Sequence, residues 1–129
     1  MDWLIKEKFI SHSGQELNWK VECDALTDNE IDVFAYLIGR KFQGCDIQKI
    51  VSIPRGGDRL ALALHKYIPL KVESKTILIV DDVFTTGKSM EEAIGRLWTN
   101  NETCVRGAVM FARSKPFSWV YSVFNFIDF

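Results

Sequence analysis

Ile77-Leu78-Ile79-Val80-Asp81-Asp82-Val83-Phe84-Thr85-Thr86-Gly87-Lys88-Ser89 is the stretch whose reading decides the fold. With Thr76 before it, the first four residues form an apolar run without alternation, the pattern of a central parallel strand covered on both faces. The two aspartates should end that strand. After them, Thr85-Thr86-Gly87-Lys88-Ser89 has the composition of a turn that opens a helix. The first amides of a helix lack intrahelical partners and the helix dipole is positive there, so such a loop can cradle a phosphate. Ser89 to Trp98 reads as that helix, with Glu91 and Glu92 in its first turn, where the dipole favours acids, and Asn100-Asn101 closing it.

Working outward, Gln48-Lys49-Ile50-Val51-Ser52-Ile53 is a β-branched run stopped by Pro54, and Arg55-Gly56-Gly57 can only be a tight turn. Asp58 should cap a helix from Arg59 to about Tyr67, whose Leu60, Leu62, Ala63 and Leu64 are apolar enough to pack on a sheet. Thr27-Asp28-Asn29-Glu30 has the spacing of a capping box. The helix it opens should run to about Lys41 with Ile31, Phe34, Ala35, Leu37 and Ile38 on its apolar side. Leu17 to Cys23 alternates like a strand within an otherwise irregular section over residues 1–26. Cys104 to Phe111 is the next strand, and Phe117 to Phe129 adds a further strand or packing segment. Its Phe117, Trp119, Tyr121, Phe124, Phe126 and Phe129 should cover either the core or a homodimer contact. Strands alternating with helices make an α/β domain on a parallel sheet.

The whole chain, residues 1–129, is expected to be a single domain, since 129 residues suffice for one core. Its 47% hydrophobic and 26% charged content is that of a folded protein. A net charge of −1 and the lack of a long Lys/Arg stretch argue against a nucleic-acid partner. No apolar run approaches the roughly 20 residues that cross a bilayer, which argues against a membrane protein. The N-terminus lacks the marks of a signal peptide, so a cytoplasmic location is expected. Cys23, Cys45 and Cys104 have neither disulfide nor zinc spacing and read as free thiols. His12 and His65 share no spacing with other ligand types, so no protein metal site is expected. Trp3, Trp19, Trp98 and Trp119 read as core or interface residues, with base stacking a minor option for Trp19.

Loops at the carboxyl ends of parallel strands face one crevice, so Pro54 to Gly57, Asp81 to Ser89 and Ala112-Arg113-Ser114 should meet there. The phosphate loop is not of the Walker type, because Asp82 stands where that pattern needs its first glycine. Adjacent carboxylates accept hydrogen bonds from paired hydroxyls and stabilise positive charge on a sugar ring. Beside a phosphate cradle they point to a ribose 5-phosphate.

Ile77 to Ser89 resembles the phosphoribosyl pyrophosphate motif of type I phosphoribosyltransferases: four apolar residues, two acids, then a Thr-Gly loop. Ile53-Pro54-Arg55-Gly56-Gly57 resembles that family's pyrophosphate loop, and the two motifs come in the family's order. Phe9 to Gln15, with its Ser13-Gly14 pair, and Trp19 to Asp24 are similar to the start of orotate phosphoribosyltransferase. Arg113 matches in place an arginine that in orotate enzymes contacts the base's carboxylate. The resemblance covers most of residues 9–115. It implies a three-layer parallel sheet with helices on both faces and a reduced N-terminal hood.

The resemblance implies a phosphoribosyltransferase that joins phosphoribosyl pyrophosphate to a nitrogenous base, an orotate-like pyrimidine first, and releases pyrophosphate. Asp81 and Asp82 would be catalytic. Arg55, Gly56, Gly57, Val83, Phe84, Thr85, Thr86, Gly87, Lys88 and Ser89 would bind phosphoribosyl pyrophosphate, Arg113 the base, and Mg²⁺ would arrive on the pyrophosphate. One departure is plain. Orotate enzymes carry an extra strand and a long lysine-bearing mobile loop where this chain has only Ile68 to Lys75. Closing loops exclude water and complete catalytic sites. The alternative is therefore a non-catalytic module that senses phosphoribosyl pyrophosphate or a nucleotide, unless Lys71, Lys75 or a neighbouring subunit substitutes. A plain α/β interaction domain would leave the coupled loops unexplained.

Overall fold

The computed structural model describes residues 4–5, 9–10, 16–17, 20–97 and 103–126. His12, the Ser13-Gly14 pair, Trp3, Trp19, Trp98, Asn100-Asn101 and Phe129 lie outside the described residues. Four two-residue strands come first, β1 (Leu4–Ile5), β2 (Phe9–Ile10), β3 (Glu16–Leu17) and β4 (Lys20–Val21), paired antiparallel as β1 with β4 and β2 with β3. The expected strand reaching Cys23 stops at Val21, because Cys23–Ala25 turn into a short 3-10 helix.

The remaining elements are α1 (Asp28–Lys41), β5 (Lys49–Ser52), α2 (Asp58–Leu64), β6 (Thr76–Phe84), α3 (Lys88–Leu97), β7 (Cys104–Ala112) and β8 (Val120–Asn125). Strands β5-β6-β7-β8 form one sheet in that order, every neighbour parallel. One face carries α1 and α2 over Leu78, Val80, Ala108, Met110 and Phe111. The other carries α3, whose Met90 and Ala93 pack on Ile77, Ile79, Val109 and Ala112. This is the expected three-layer arrangement with helices on both faces. Burying each Leu, Ile, Phe or Met side chain here contributes about 1.5–3 kcal/mol.

Thr27 caps α1 as expected, its hydroxyl accepting from the Glu30 amide at 3.1 Å while the Glu30 carboxylate accepts from the Thr27 amide at 2.9 Å. Leu37, expected on the apolar side, is instead 38% exposed. At 100° per residue it falls outside the stripe of Ile31, Phe34, Ala35 and Ile38. Likewise Leu62 projects from α2 at 76% exposure, while Leu60 and Leu64 are buried. Helix α2 ends at Leu64, short of Tyr67, and its cap is Gly57 rather than Asp58, whose carboxylate accepts from the Ser52 hydroxyl at 2.6 Å.

The acid pair does not end its strand. β6 continues to Phe84 because Asp81, Val83 and Phe84 stay in register with Val109, Phe111 and Ala112 of β7. Asp82 and Met110 drop out of that register, and the alternation inverts there. Before the pair, Leu78 and Val80 face α1 and α2; after it, Val83 takes that side and Phe84 turns toward α3.

Of the aromatic tail, Phe117, Trp119, Tyr121 and Phe126 pack against the core, while Phe124 is 47% exposed. A helical crossover between parallel strands needs about a dozen residues, and Arg113 to Trp119 is too short for one. Phe117 and Trp119, stacked at 5.7 Å, cover the α3 face instead, and the Gly107 amide donates to the Trp119 carbonyl at 2.9 Å. Phe126 stacks on Phe111 at 5.8 Å on the opposite face.

Candidate functional site

The three loops expected to converge do so at the carboxyl end of the sheet. The β5 ladder extends past Ser52, with the Ile53 amide donating to the Val80 carbonyl at 2.9 Å, so Pro54 to Gly57 lies beside the acid pair. The Gly57 amide donates to the Ile53 carbonyl at 2.9 Å and the Asp58 amide to the Arg55 carbonyl at 3.1 Å, closing the turn. Gly56 lies against Asp82 so closely that a Cβ there would stand 2.6 Å from Oδ1. Its lack of a side chain is what lets the turn reach the carboxylate. Arg55 is exposed at the rim.

The two carboxyls are held along their own backbone, the Asp82 amide donating to Asp81 Oδ1 at 2.8 Å and the Val83 amide to Asp82 Oδ1 at 2.7 Å. Asp81 is 9% exposed. Burial first, then the charge of Asp82 and a hydrogen bond to it, raise the Asp81 carboxyl to about 8. The buried pair therefore holds a proton more tightly than two separate carboxyls would, in the hydrogen bond between Asp81 and Asp82.

Beyond β6 comes the loop expected to cradle a phosphate. Gly87 takes φ +85°, a conformation that favours glycine, and the Lys88 amide donates to the Thr86 hydroxyl at 3.3 Å as α3 begins. Thr86, Lys88 and Ser89 are exposed and Thr85 is half-buried. Val83 and Phe84 were expected among the ligand-binding residues, but their side chains pack into the two core clusters, leaving backbone as what they offer. The third loop is tied to the second: the Arg113 amide donates to the Phe84 carbonyl at 2.9 Å and the Ser114 hydroxyl to the Thr85 carbonyl. Desolvation pulls the half-buried Arg113 guanidinium below its ordinary value.

Cys23 also belongs to this site, although its spacing marked it only as a free thiol. Its thiol hydrogen-bonds Asp82; burial first, then the charges of Asp82, Asp81 and Asp24, push its pKa far up, so it remains a neutral donor. No local signal in the sequence shows this contact, because it joins the amino-terminal turn to the end of β6. The Ile68 to Lys75 connection lies at the opposite end of the sheet. The Lys71 amide donates to Ile47 ahead of β5 at 2.8 Å, and the Lys75 carbonyl accepts from the Cys104 amide at the start of β7 at 2.9 Å. Neither Lys71 nor Lys75 stands where it could substitute for a closing loop over its own chain's acid pair. Among the described residues no group of three His, Cys, Asp or Glu could hold a metal ion, and no helix is long and apolar enough to cross a membrane.

Residues 67–125 match the phosphoribosyl transferase domain family. No curated protein matches the chain in sequence. The fold is similar to that of orotate phosphoribosyltransferase from Aeropyrum pernix, with a TM-score of 0.74 at 17% identity over 96% of this chain and 88% of that one. It is similar to the Mycobacterium tuberculosis orotate phosphoribosyltransferase in complex with inorganic phosphate, with a TM-score of 0.73 at 18% identity over 97% and 89%. It also resembles a purine phosphoribosyltransferase from Pyrococcus horikoshii, with a TM-score of 0.64 at 24% identity over 78% and 85%. In sequence over residues 67–125, and in fold over nearly its whole length, the chain resembles the type I phosphoribosyltransferases.

Proposed function

We propose that the chain is a phosphoribosyltransferase that transfers the ribose 5-phosphate of phosphoribosyl pyrophosphate to a nitrogenous base, an orotate-like pyrimidine first. The observation that carries this is the meeting of the Gly56 turn with the Asp82 carboxylate, next to a helix-start loop suited to a phosphate. A ring nitrogen of the base attacks the anomeric carbon, whose bond to the pyrophosphate oxygen breaks with the electron pair leaving on pyrophosphate. Asp82 faces the positive charge that develops on the sugar, and the ribose hydroxyls hydrogen-bond the pair. Thr85 to Ser89 hold the 5-phosphate, Arg55 and the Gly56-Gly57 amides receive the pyrophosphate, and Arg113 contacts the base. Mg²⁺, brought in on the pyrophosphate, would offset the charge of the leaving group. Most of the catalysis is positioning and electrostatics.

The position of Ile68 to Lys75 favours a second reading, a module that binds phosphoribosyl pyrophosphate or a nucleotide without turnover, since this segment closes nothing over the site. One experiment separates the two. The chain is incubated with phosphoribosyl pyrophosphate, Mg²⁺ and a panel of pyrimidine and purine bases, with pyrophosphate release and the ligand-induced rise in Tm both measured. The transferase reading expects a rise in Tm, release with at least one base, and a fall in turnover of two or more orders of magnitude in Asp82→Asn. A rise without release supports the sensing module; no rise at millimolar ligand sinks both.

A further inference from the structure

We infer that Ser52 and Asp58 are positioning residues, a clasp that fixes the Pro54 to Gly57 turn and so sets the preference of the site for a sugar phosphate that also carries pyrophosphate. This extends the proposed pyrophosphate role of that turn and rests on it. The Ser52 hydroxyl, on the last residue of β5, donates at 2.6 Å to the Asp58 carboxylate, on the first residue of α2. One side-chain bond thus ties together the two ends of the turn.

The turn needs such a tie. Pro54, Arg55 and Gly56 are exposed, and the two successive glycines lose much backbone freedom on being ordered. The path they must hold is narrow. Gly56 lies against the Asp82 carboxylate, and a Cβ on Gly57 would stand 2.5 Å from the Val80 carbonyl oxygen. A small shift of the chain there re-aims Arg55 and the Gly56 amide.

Both ends of the clasp sit on fixed structure. Ser52 is in register with Val80 of the central strand. Asp58 is followed by Arg59, whose guanidinium donates to the Leu26 carbonyl at 3.0 Å and to Asp28 at 2.8 Å, holding the start of α2 against the start of α1. A hydroxyl on a carboxylate is a charge-assisted bond, stronger and more directional than a neutral one. The clasp acts on the turn alone. The 5-phosphate and the base are addressed from Thr85 to Ser89 and from Arg113, on the loops after β6 and β7, so loosening the turn should be felt by the pyrophosphate and not by the sugar phosphate.

Thermal-shift titrations with phosphoribosyl pyrophosphate plus Mg²⁺ and, separately, with ribose 5-phosphate test this. Ser52→Ala should weaken binding of the first by about tenfold or more, the scale of a hydrogen bond to a charged group, and change the second by less than about twofold. Ser52→Thr keeps the hydroxyl and should bind both ligands like the wild type. In an Asp58→Ala background, Ser52→Ala should add no further loss, because the clasp is already open. Equal weakening of both ligands, weakening of neither, or an undiminished effect of Ser52→Ala in the Asp58→Ala background would each overturn the inference, the last by showing that Ser52 acts without Asp58. A wild type without affinity for phosphoribosyl pyrophosphate would sink the proposed function and this inference together, whereas wild-type binding that the substitution leaves unchanged sinks the inference alone.

Discussion

Asp81 is a carboxyl that folding makes less acidic, and stability should record it. Its pKa of about 8 in the fold lies above the ordinary carboxylate value of 3.8, with burial the main cause and Asp82 the next. The folded protein therefore binds more protons than the unfolded chain between these values, so this residue's contribution is complete at low pH and declines as pH rises toward 8. Asparagine keeps the oxygen that accepts from the Asp82 amide and supplies an N–H toward Asp82 without titrating. Asp81→Asn should thus be more stable than the wild type at pH 8, and the difference should shrink toward pH 4. Chemical denaturation at several pH values measures this; a difference that does not vary with pH would show that Asp81 is an ordinary carboxylate in the fold. Asp82 is the shared partner of this region, hydrogen-bonded both to the Asp81 carboxyl and to the thiol of Cys23.

At the scale of elements, β6 and the loop after it show what was legible in the sequence. The unbroken apolar run Ile77 to Val80 predicted a strand buried on both faces, and Thr85 to Ser89 predicted the helix start that follows. Both are periodicity and turn chemistry, which act locally. The end of the strand was misplaced because pairing with β7 outweighs the preference of aspartate for turns, and that pairing is not local. Cys23 and the Gly56 contact with Asp82 were hidden for the same reason. Gly87 gives this element its own test. Its φ is +85°, and a Cβ there would come within 2.7 Å of the Phe117 ring and 2.9 Å of the Phe84 ring, whereas a Cβ at Gly95, further along α3, would meet nothing within 4 Å. Gly87→Ala should cost about 1–3 kcal/mol, the scale of a strained backbone position. Gly95→Ala should stabilise by about 0.5–1 kcal/mol, the gain from replacing a mid-helix glycine. Urea midpoints at unchanged m-value compare the two; equal effects would mean that the loop does not hold Gly87 in this conformation.

The whole molecule has two unlike ends. The carboxyl ends of the strands gather the acid pair, the Gly56 turn and the Thr85 to Ser89 loop, while Ile68 to Lys75 crosses the amino ends, held by the Lys71 amide on Ile47 and by an ion pair of 3.1 Å between Lys71 and Asp46. The loop order in the sequence was enough to predict the first end, because parallel strands send all their carboxyl-end loops to one side. The reach of the short connection was not legible, since it depends on where β6 begins relative to its neighbours. From Thr76 to Asp81 the strand climbs about 16 Å at 3.3 Å per residue, well beyond the span of a lysine side chain rooted at position 71 or 75. If this placement governs binding, Lys71→Ala and Lys75→Ala should leave the rise in Tm caused by phosphoribosyl pyrophosphate and Mg²⁺ unchanged. Lys71→Ala should lower the unliganded stability by no more than about 1 kcal/mol, the worth of an exposed ion pair. Lys88→Ala, at the start of α3, should reduce the ligand-induced rise, because it removes a cation beside the phosphate cradle. The three variants are compared by thermal melts with and without ligand. Loss of the ligand effect in either of the first two, with stability retained, would mean that the connection reaches a ligand site that its own chain does not bring to it, and the division of the molecule into a binding end and a closed end would fail.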